Sequence, residues 1–277
     1  MRKEERSMKP QMPYAVNCSI LFSDLPLLQR AAAARQAGFA GIEFWWPYAT
    51  AVPDDREVDE FVRSIEDAGV QLVNLNLFAG DMAAGDRGLI SWPGRSSEFD
   101  DNLAVVAAIG ERLGCKAFNA LYGNRIDGVA AECQDELAAE QLVRAAHAVA
   151  HFDGTILVEP LSGMPSYPLR TSDDAFAVID RADRSNIALL CDLYHLAVNG
   201  DALDEVISTR ADRIGHVQIA DAPGRGKPGS GSLPIEHHLA NLAARGYSGW
   251  VALEYLSCGS AEDDFDWLAS GLHSSTA

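Results

Sequence analysis

Residues 155–192, TILVEPLSGMPSYPLRTSDDAFAVIDRADRSNIALLCD, hold one complete copy of the pattern that organises the chain. An apolar run ends on Glu159, and a loop with three prolines and a glycine occupies 160–170. Helical periodicity follows over 172–182, and a second apolar run ends on Asp192. Two short apolar runs joined by a helix read as parallel strands, because an antiparallel pair needs only a hairpin between them.

The same unit repeats outward in both directions. Strand-like runs close at Ser19, Phe44, Asn76, Ala120, Glu159, Asp192, Ile219 and Tyr255, and helical segments fill 25–37, 57–68, 98–113, 132–151, 172–182, 203–210, 235–245 and 262–272. Glycine stands where several of these helices should stop, as in AARQAGF, IEDAGV, ERLGC and LAARGY. Strand ends recur about every 34 residues, the length of one strand, crossover helix and two loops, with no linker between units. The expectation is one domain over 13–277, after a polar, disordered tail at 1–12. Eight βα units can build an open doubly wound sheet or a closed cylinder, and eight is the number that closes with side chains filling the interior. The predicted fold is therefore α/β, a single (β/α)8 TIM barrel. The longest connections, 78–97, 122–131, 160–170 and 220–234, all follow strands, so the loop-rich face lies at the strand C-termini.

Composition narrows the partners. The chain has 22 Lys and Arg against 40 Asp and Glu, a formal charge of −18, which repels phosphate backbones and anionic membranes but still attracts cations. With 48% hydrophobic residues the chain is globular, not disordered. The five cysteines are odd in number and form no CxxC, as expected of reduced thiols in a cytoplasmic protein. MRKEERSMKPQM at the start lacks the apolar stretch of a secretory signal, and no apolar run reaches the roughly 20 residues that span a bilayer. The oligomeric state, a homo-oligomer included, is left open.

Acidic and amide residues stand at the ends of otherwise apolar runs: Glu159, Asp192, Gln218 and Glu254. Leu157/Glu159, Leu190/Asp192, His216/Gln218 and Ala252/Glu254 each share a strand face, and the four strands are consecutive, so the polar ends converge on one mouth. Three carboxylates there repel and take up protons unless a cation compensates them, and oxygen ligands suit Mg2+ or Mn2+ better than Zn2+. The bland alternative has each acid capping a helix or pairing with a base. His195, three residues after Asp192, falls in the strand-to-helix turn and is read as a substrate contact. His216 is read either as a partner fixing the Gln218 amide or as a barrel-layer residue. Glu43 is read as structural at the rim, and Trp45, Trp46 and Phe78 as pocket wall or core. His147, His151, His237 and His238 fall on helices and receive no function.

Two loops carry candidate cations. ADAPGRGKPGSGS (220–232) has GxGxxG-like spacing, but its prolines and its distance from the next helix argue against a dinucleotide site. It is read as carrying Arg225 and Lys227 toward an anionic group. FAGDMAAGDRGLISWPGR (78–95) has the length and glycine content of a lid that brings Asp81 and Arg87 to the site on closure. GxSxG and HExxH are absent, and Ser162 lacks a nucleophile elbow.

From Met12 to about Tyr255 the chain resembles the hydroxypyruvate isomerase family of the xylose-isomerase-like TIM barrels. The residues that carry the likeness are NCSILF (17–22), GFAGIEFWWPY (38–48), AGDMAAGDRG (79–88), VEP (158–160), CDLYH (191–195), HVQIADAPGRGKPGSG (216–231) and GYSGWVALEY (246–255). The resemblance implies an isomerase of small hydroxy-aldehydes or keto acids, interconverting hydroxypyruvate and tartronate semialdehyde or a related 2-oxo acid through an enediolate. It implies Glu159, Asp192, Gln218 and Glu254 as ligands of Mg2+ or Mn2+, Glu159 and Glu254 as the proton-transferring pair, and His195 and Arg225 as substrate contacts. Gln218 stands where sugar epimerases of the wider group usually have histidine. Trp92 and the paired tryptophans of FWWPY depart from the family's pattern and bear on the substrate. The alternative is a sugar or polyol epimerase or dehydratase of the same superfamily.

Overall fold

The structure is a computed structural model and describes residues 12–257, 259 and 261–269. Eight strands, β1 (Tyr14–Asn17), β2 (Gly41–Phe44), β3 (Gln71–Asn76), β4 (Ala117–Asn119), β5 (Thr155–Val158), β6 (Ile187–Asp192), β7 (Ile214–Ile219) and β8 (Val251–Leu253), form a closed barrel in sequence order. Every pairing is parallel, and β1 joins β8 through Tyr14↔Val251, Ala15↔Ala252 and Val16↔Leu253. The predicted barrel and its eight units are present. The expected tail lies almost wholly outside the described residues, as does Cys258. Cys18, Cys115 and Cys191 are buried free thiols and Cys133 an exposed one.

Around the barrel run α1 (Leu27–Gln36), α2 (Asp55–Ala68), α3 (Ser96–Leu113), α4 (Ala131–Ala150), α5 (Ser172–Ala182), α6 (Leu193–Asn199), α7 (Leu203–Arg210), α8 (Ile235–Ala244) and α9 (Ala261–Ala269). Local chemistry sets their ends. At α5, Thr171 accepts from the Asp174 backbone N–H while Asp174 accepts from that of Thr171, a reciprocal cap. Gly69 ends α2 in the left-handed region at φ 65°. Helix α6 is the element that periodicity does not reveal; it starts directly at the end of β6, where Asp192 caps it. No helix among the described residues is long and apolar enough to cross a membrane.

Strand faces divide the apolar side chains into two populations. The large core lies between barrel and helices. Ala15, Val73 and Ala252, and separately Ala117, Leu157 and Leu190, form small clusters apart from it. By alternation Ala15, Leu157, Leu190 and Ala252 share faces with Asn17, Glu159, Asp192 and Glu254, so small apolar residues plug the cylinder beneath a polar layer. Register aligns that layer: Asn17 lies beside Glu43, Glu43 beside Asn74, and Asp192 beside Gln218.

Candidate active site

Glu159 follows β5, Asp192 closes β6, Gln218 lies near the end of β7 and Glu254 follows β8; all four are buried. One ligand atom each from Glu159, Asp192, His195 and Glu254 lies within 4.8 Å of the others. Amide and indole donors fix the acids from the sides. Asn119 Nδ2 donates to Glu159 Oε2 at 2.6 Å, while Asn17 Nδ2 (2.9 Å) and Trp45 Nε1 (2.7 Å) donate to Glu254 Oε1. Arg225 pairs with Glu254 Oε2. Asp192 Oδ1 accepts the Tyr194 and His195 backbone N–H groups at 2.7 and 3.2 Å, which is the cap of α6. The bland reading thus holds for part of each acid, yet oxygens remain over. Asp192 Oδ2 is buried with no hydrogen-bond partner, 3.6 Å from His195 Nε2 and 3.9 Å from Arg225 Nη2, and Gln218 Oε1 is likewise unpartnered.

Burial and crowding shift the protonation of these groups. Burial, reinforced by the Glu254 and Asp192 charges, pushes the Glu159 carboxyl well up, against the Asn119 hydrogen bond and Arg225. Burial also raises Glu254; Arg225 opposes the rise, and Asp192 and Glu43 add to it. His195 is pushed down to about 4 by burial, partly offset by Asp192 and aided by Arg225. Its Nδ1 accepts the Ser162 backbone N–H at 3.0 Å and lies 2.7 Å from Ser162 Oγ, so the ring is neutral with its proton on Nε2, facing Asp192. Two unpartnered buried oxygens among acids driven toward neutrality are the donor set of a divalent cation, and these residues fit one.

A second group, Asp204, His237 and His238, joins α7 to α8. There both imidazoles and Asn241 converge on one oxygen, Asp204 Oδ1, at 2.9, 3.2 and 3.1 Å, which closes the network without an ion.

The mouth opens into a cavity of about 360 Å3 whose lining includes Trp45, Met82, Arg87, Glu159, His195, Arg225 and Glu254. Arg225 is held at φ 54° between Gly224 and Gly226, and its Nε also approaches the Glu254 carbonyl oxygen at 3.3 Å. Arg87 donates to the carbonyl oxygens of Met82 (3.0 Å) and Asp86 (2.6 Å) and makes no ion pair among the described residues. Its loop is fastened to the chain after β4: Gly88 bridges to Tyr122, Gly123 N–H donates to Arg87 O, and Trp92 Nε1 donates to Asn124 O. Asp81 lines the adjoining cavity of about 540 Å3 and caps its own turn, accepting from the Ala84 N–H at 3.0 Å.

The structure changes the readings of Lys227 and Ser162 and decides between those of His216. Lys227, expected beside Arg225, donates instead to Asp263 O and pairs with Asp266 of α9. Of the two readings of His216 the barrel-layer one holds: it is buried on β7 and bonds Glu43 Oε2 at 2.7 Å, not Gln218. Ser162, which lacks a nucleophile elbow, instead holds His195. Asn17 and Asn119 fall inside runs that the sequence closes at Ser19 and Ala120, yet they end β1 and β4 and brace Glu254 and Glu159.

An eight-stranded barrel with buried acids at the strand C-termini, opening on a cavity with two arginines, defines a TIM-barrel enzyme with a cation-compatible mouth. Residues 31–271 match the xylose isomerase-like TIM barrel family. The chain is 49% identical to a putative hydroxypyruvate isomerase of Streptomyces coelicolor, over 93% of this chain and 96% of that one. It is 32% identical to the hydroxypyruvate isomerase of Escherichia coli, covering 92% and 97%. A solved structure described as an AP endonuclease, family 2, from Brucella melitensis superposes with TM-score 0.86 at 33% identity, covering 94% and 99%. The chain belongs to the xylose isomerase-like TIM barrels, in their hydroxypyruvate isomerase family, and is an isomerase.

Proposed function

We propose that the chain interconverts hydroxypyruvate and tartronate semialdehyde, or a closely related 2-oxo acid and its isomer, by moving a proton between adjacent carbons. The observation that carries this reading is the pair of buried glutamates, Glu159 and Glu254, with carboxyl oxygens in one 4.8 Å cluster and both pushed toward the protonated form. Such a pair can hold one proton and accept another. Glu254, with donors from Asn17, Trp45 and Arg225, is the better-supported carboxylate, and Glu159, with Asn119 alone, the better proton carrier.

Starting from hydroxypyruvate, Glu254 takes a proton from the hydroxyl-bearing carbon C3, and the released electron pair forms the C2=C3 bond of an enediolate. Glu159 delivers a proton to C2, and the hydroxyl proton passes from O3 to O2 beside the neutral Nε2–H of His195. C3 leaves as an aldehyde and C2 as a secondary alcohol. Arg225 and Arg87 hold the substrate carboxylate, and Arg87, with no ion pair among the described residues, has donors to spare for it. Mg2+ or Mn2+ held by Glu159, Asp192, Gln218 and Glu254 supplies the positive charge that this acid cluster and an enediolate call for. The −18 charge disfavours a phosphate backbone as the substrate.

The test is product analysis by NMR in D2O with Mn2+ and hydroxypyruvate. Deuterium should enter tartronate semialdehyde at C2, and Glu159→Gln or Glu254→Gln should each lower the rate by roughly 100-fold or more. Near wild-type turnover in either variant would refute the two-glutamate scheme, and hydroxypyruvate left unchanged while a ketose offered in its place is epimerised would move the chain to the epimerase reading.

A further inference from the structure

The polar layer contains a carboxylate that the reaction above does not use. Glu43 is fully buried at the end of β2 and receives four N–H donors. Asn17 Nδ2 (2.8 Å) and Gln218 Nε2 (2.6 Å) meet its Oε1, and His216 Nε2 (2.7 Å) and Asn74 Nδ2 (3.4 Å) meet its Oε2. Both oxygens are therefore occupied, and Glu43 is not among the residues whose ligand atoms cluster. A primary amide has one donating and one accepting end, so tying Gln218 Nε2 to Glu43 commits Oε1 to the opposite direction. Oε1 is buried and has no hydrogen-bond partner, and Gln218 lies in register with Asp192, whose Oδ2 is also buried and unpartnered. The nitrogen of Asn17 that bonds Glu43 also donates to Glu254 Oε1, extending the same constraint to a second acid.

We infer that Glu43 is a positioning residue, whose four-donor grip turns the Gln218 carbonyl oxygen, rather than its amino group, toward the acid cluster and through Asn17 sets the rotamer of Glu254. The inference rests on the cation reading above. An amide at position 43 offers one accepting oxygen where the carboxylate offers two, so the four donors lose half of their acceptors, and Gln218, whose other end no group holds, is free to turn its amide over, as is Asn74.

Mn2+ binding to the purified protein, read by electron paramagnetic resonance and calorimetry, separates the two readings. No Mn2+ binding by the wild type would sink the cation reading itself. Given wild-type binding, Glu43→Gln should weaken Mn2+ affinity about tenfold or more while circular dichroism and the melting transition report an intact barrel. The exchanged pair Glu43→Gln/Gln218→Glu restores donor and acceptor in reverse and should return Mn2+ affinity to within about threefold of wild type, since a carboxylate at 218 accepts from the amide at 43 and turns its other oxygen to the ion. Unchanged affinity in Glu43→Gln, or an exchanged pair as weak as the single variant, overturns the inference. Should Glu43→Gln fail to fold, the exchanged pair decides alone: folded protein with near wild-type affinity supports the orientation, and folded protein without it overturns it.

Discussion

Asp192 performs two tasks with its two oxygens: Oδ1 caps α6 and Oδ2 faces the mouth without a partner. Asparagine caps helices about as well as aspartate but carries no charge, so substitution can separate the tasks. Asp192→Asn should leave the melting temperature of the metal-free protein unchanged or higher and weaken Mn2+ binding about tenfold or more. Asp192→Ala should add a loss of about 1 kcal/mol of stability in denaturant unfolding. The neighbouring His195 is a second residue-scale case. Since burial lowers it to about 4, its imidazole should show no titration by 15N NMR between pH 8 and about 5.5; a midpoint near 6.5 would contradict its placement. Its linkage follows from that direction: protonation of the unfolded chain as pH falls below 6.5 draws stability away from the fold until the folded value is passed.

Among the elements, the strands and their polar ends were legible because both signals are local: a short apolar run, then an acid or amide on the inward face. Glu159, Asp192, Gln218 and Glu254 could be placed from that pattern alone. Helix α6 was not legible, since seven residues starting directly at a strand end carry too little periodicity, and its existence depends on Asp192 acting as cap. Long-range partnerships were equally hidden: Asn17 and Glu254 are 237 positions apart, and nothing in one sequence pairs His216 with Glu43 rather than Gln218. The 78–95 loop reads as a lid from composition, and in the structure it is tied to Tyr122, Gly123 and Asn124 and presents Arg87 to the cavity. Gly88 is the joint: at φ 108° it lies in a region other residues avoid, and a Cβ there runs into the Leu121 carbonyl oxygen. Gly88→Ala should cost roughly 2 kcal/mol or more in denaturant unfolding and raise KM for an anionic substrate more than it lowers kcat.

On the scale of the whole molecule, the buried acids set a pH dependence. Above the ordinary glutamate value of 4.5 the unfolded chain releases protons that Glu159 and Glu254 retain when folded, so their contribution to stability declines as pH rises. A cation competes with those protons and relieves the same repulsion, so Mn2+ should raise the melting temperature more at pH 8 than at pH 6, as scanning calorimetry can check. An equal rise at both values would place the ion away from this cluster. Closure of the cylinder has one further effect. Because β1 pairs with β8, and Glu254 is braced by Asn17, 237 positions away, a ribosome must release everything from β1 through β8 before any of this machinery can assemble. A nascent chain that stops short of β8 lacks Glu254 and has two raw sheet edges, so the eighth strand completes the wall and the reaction centre together.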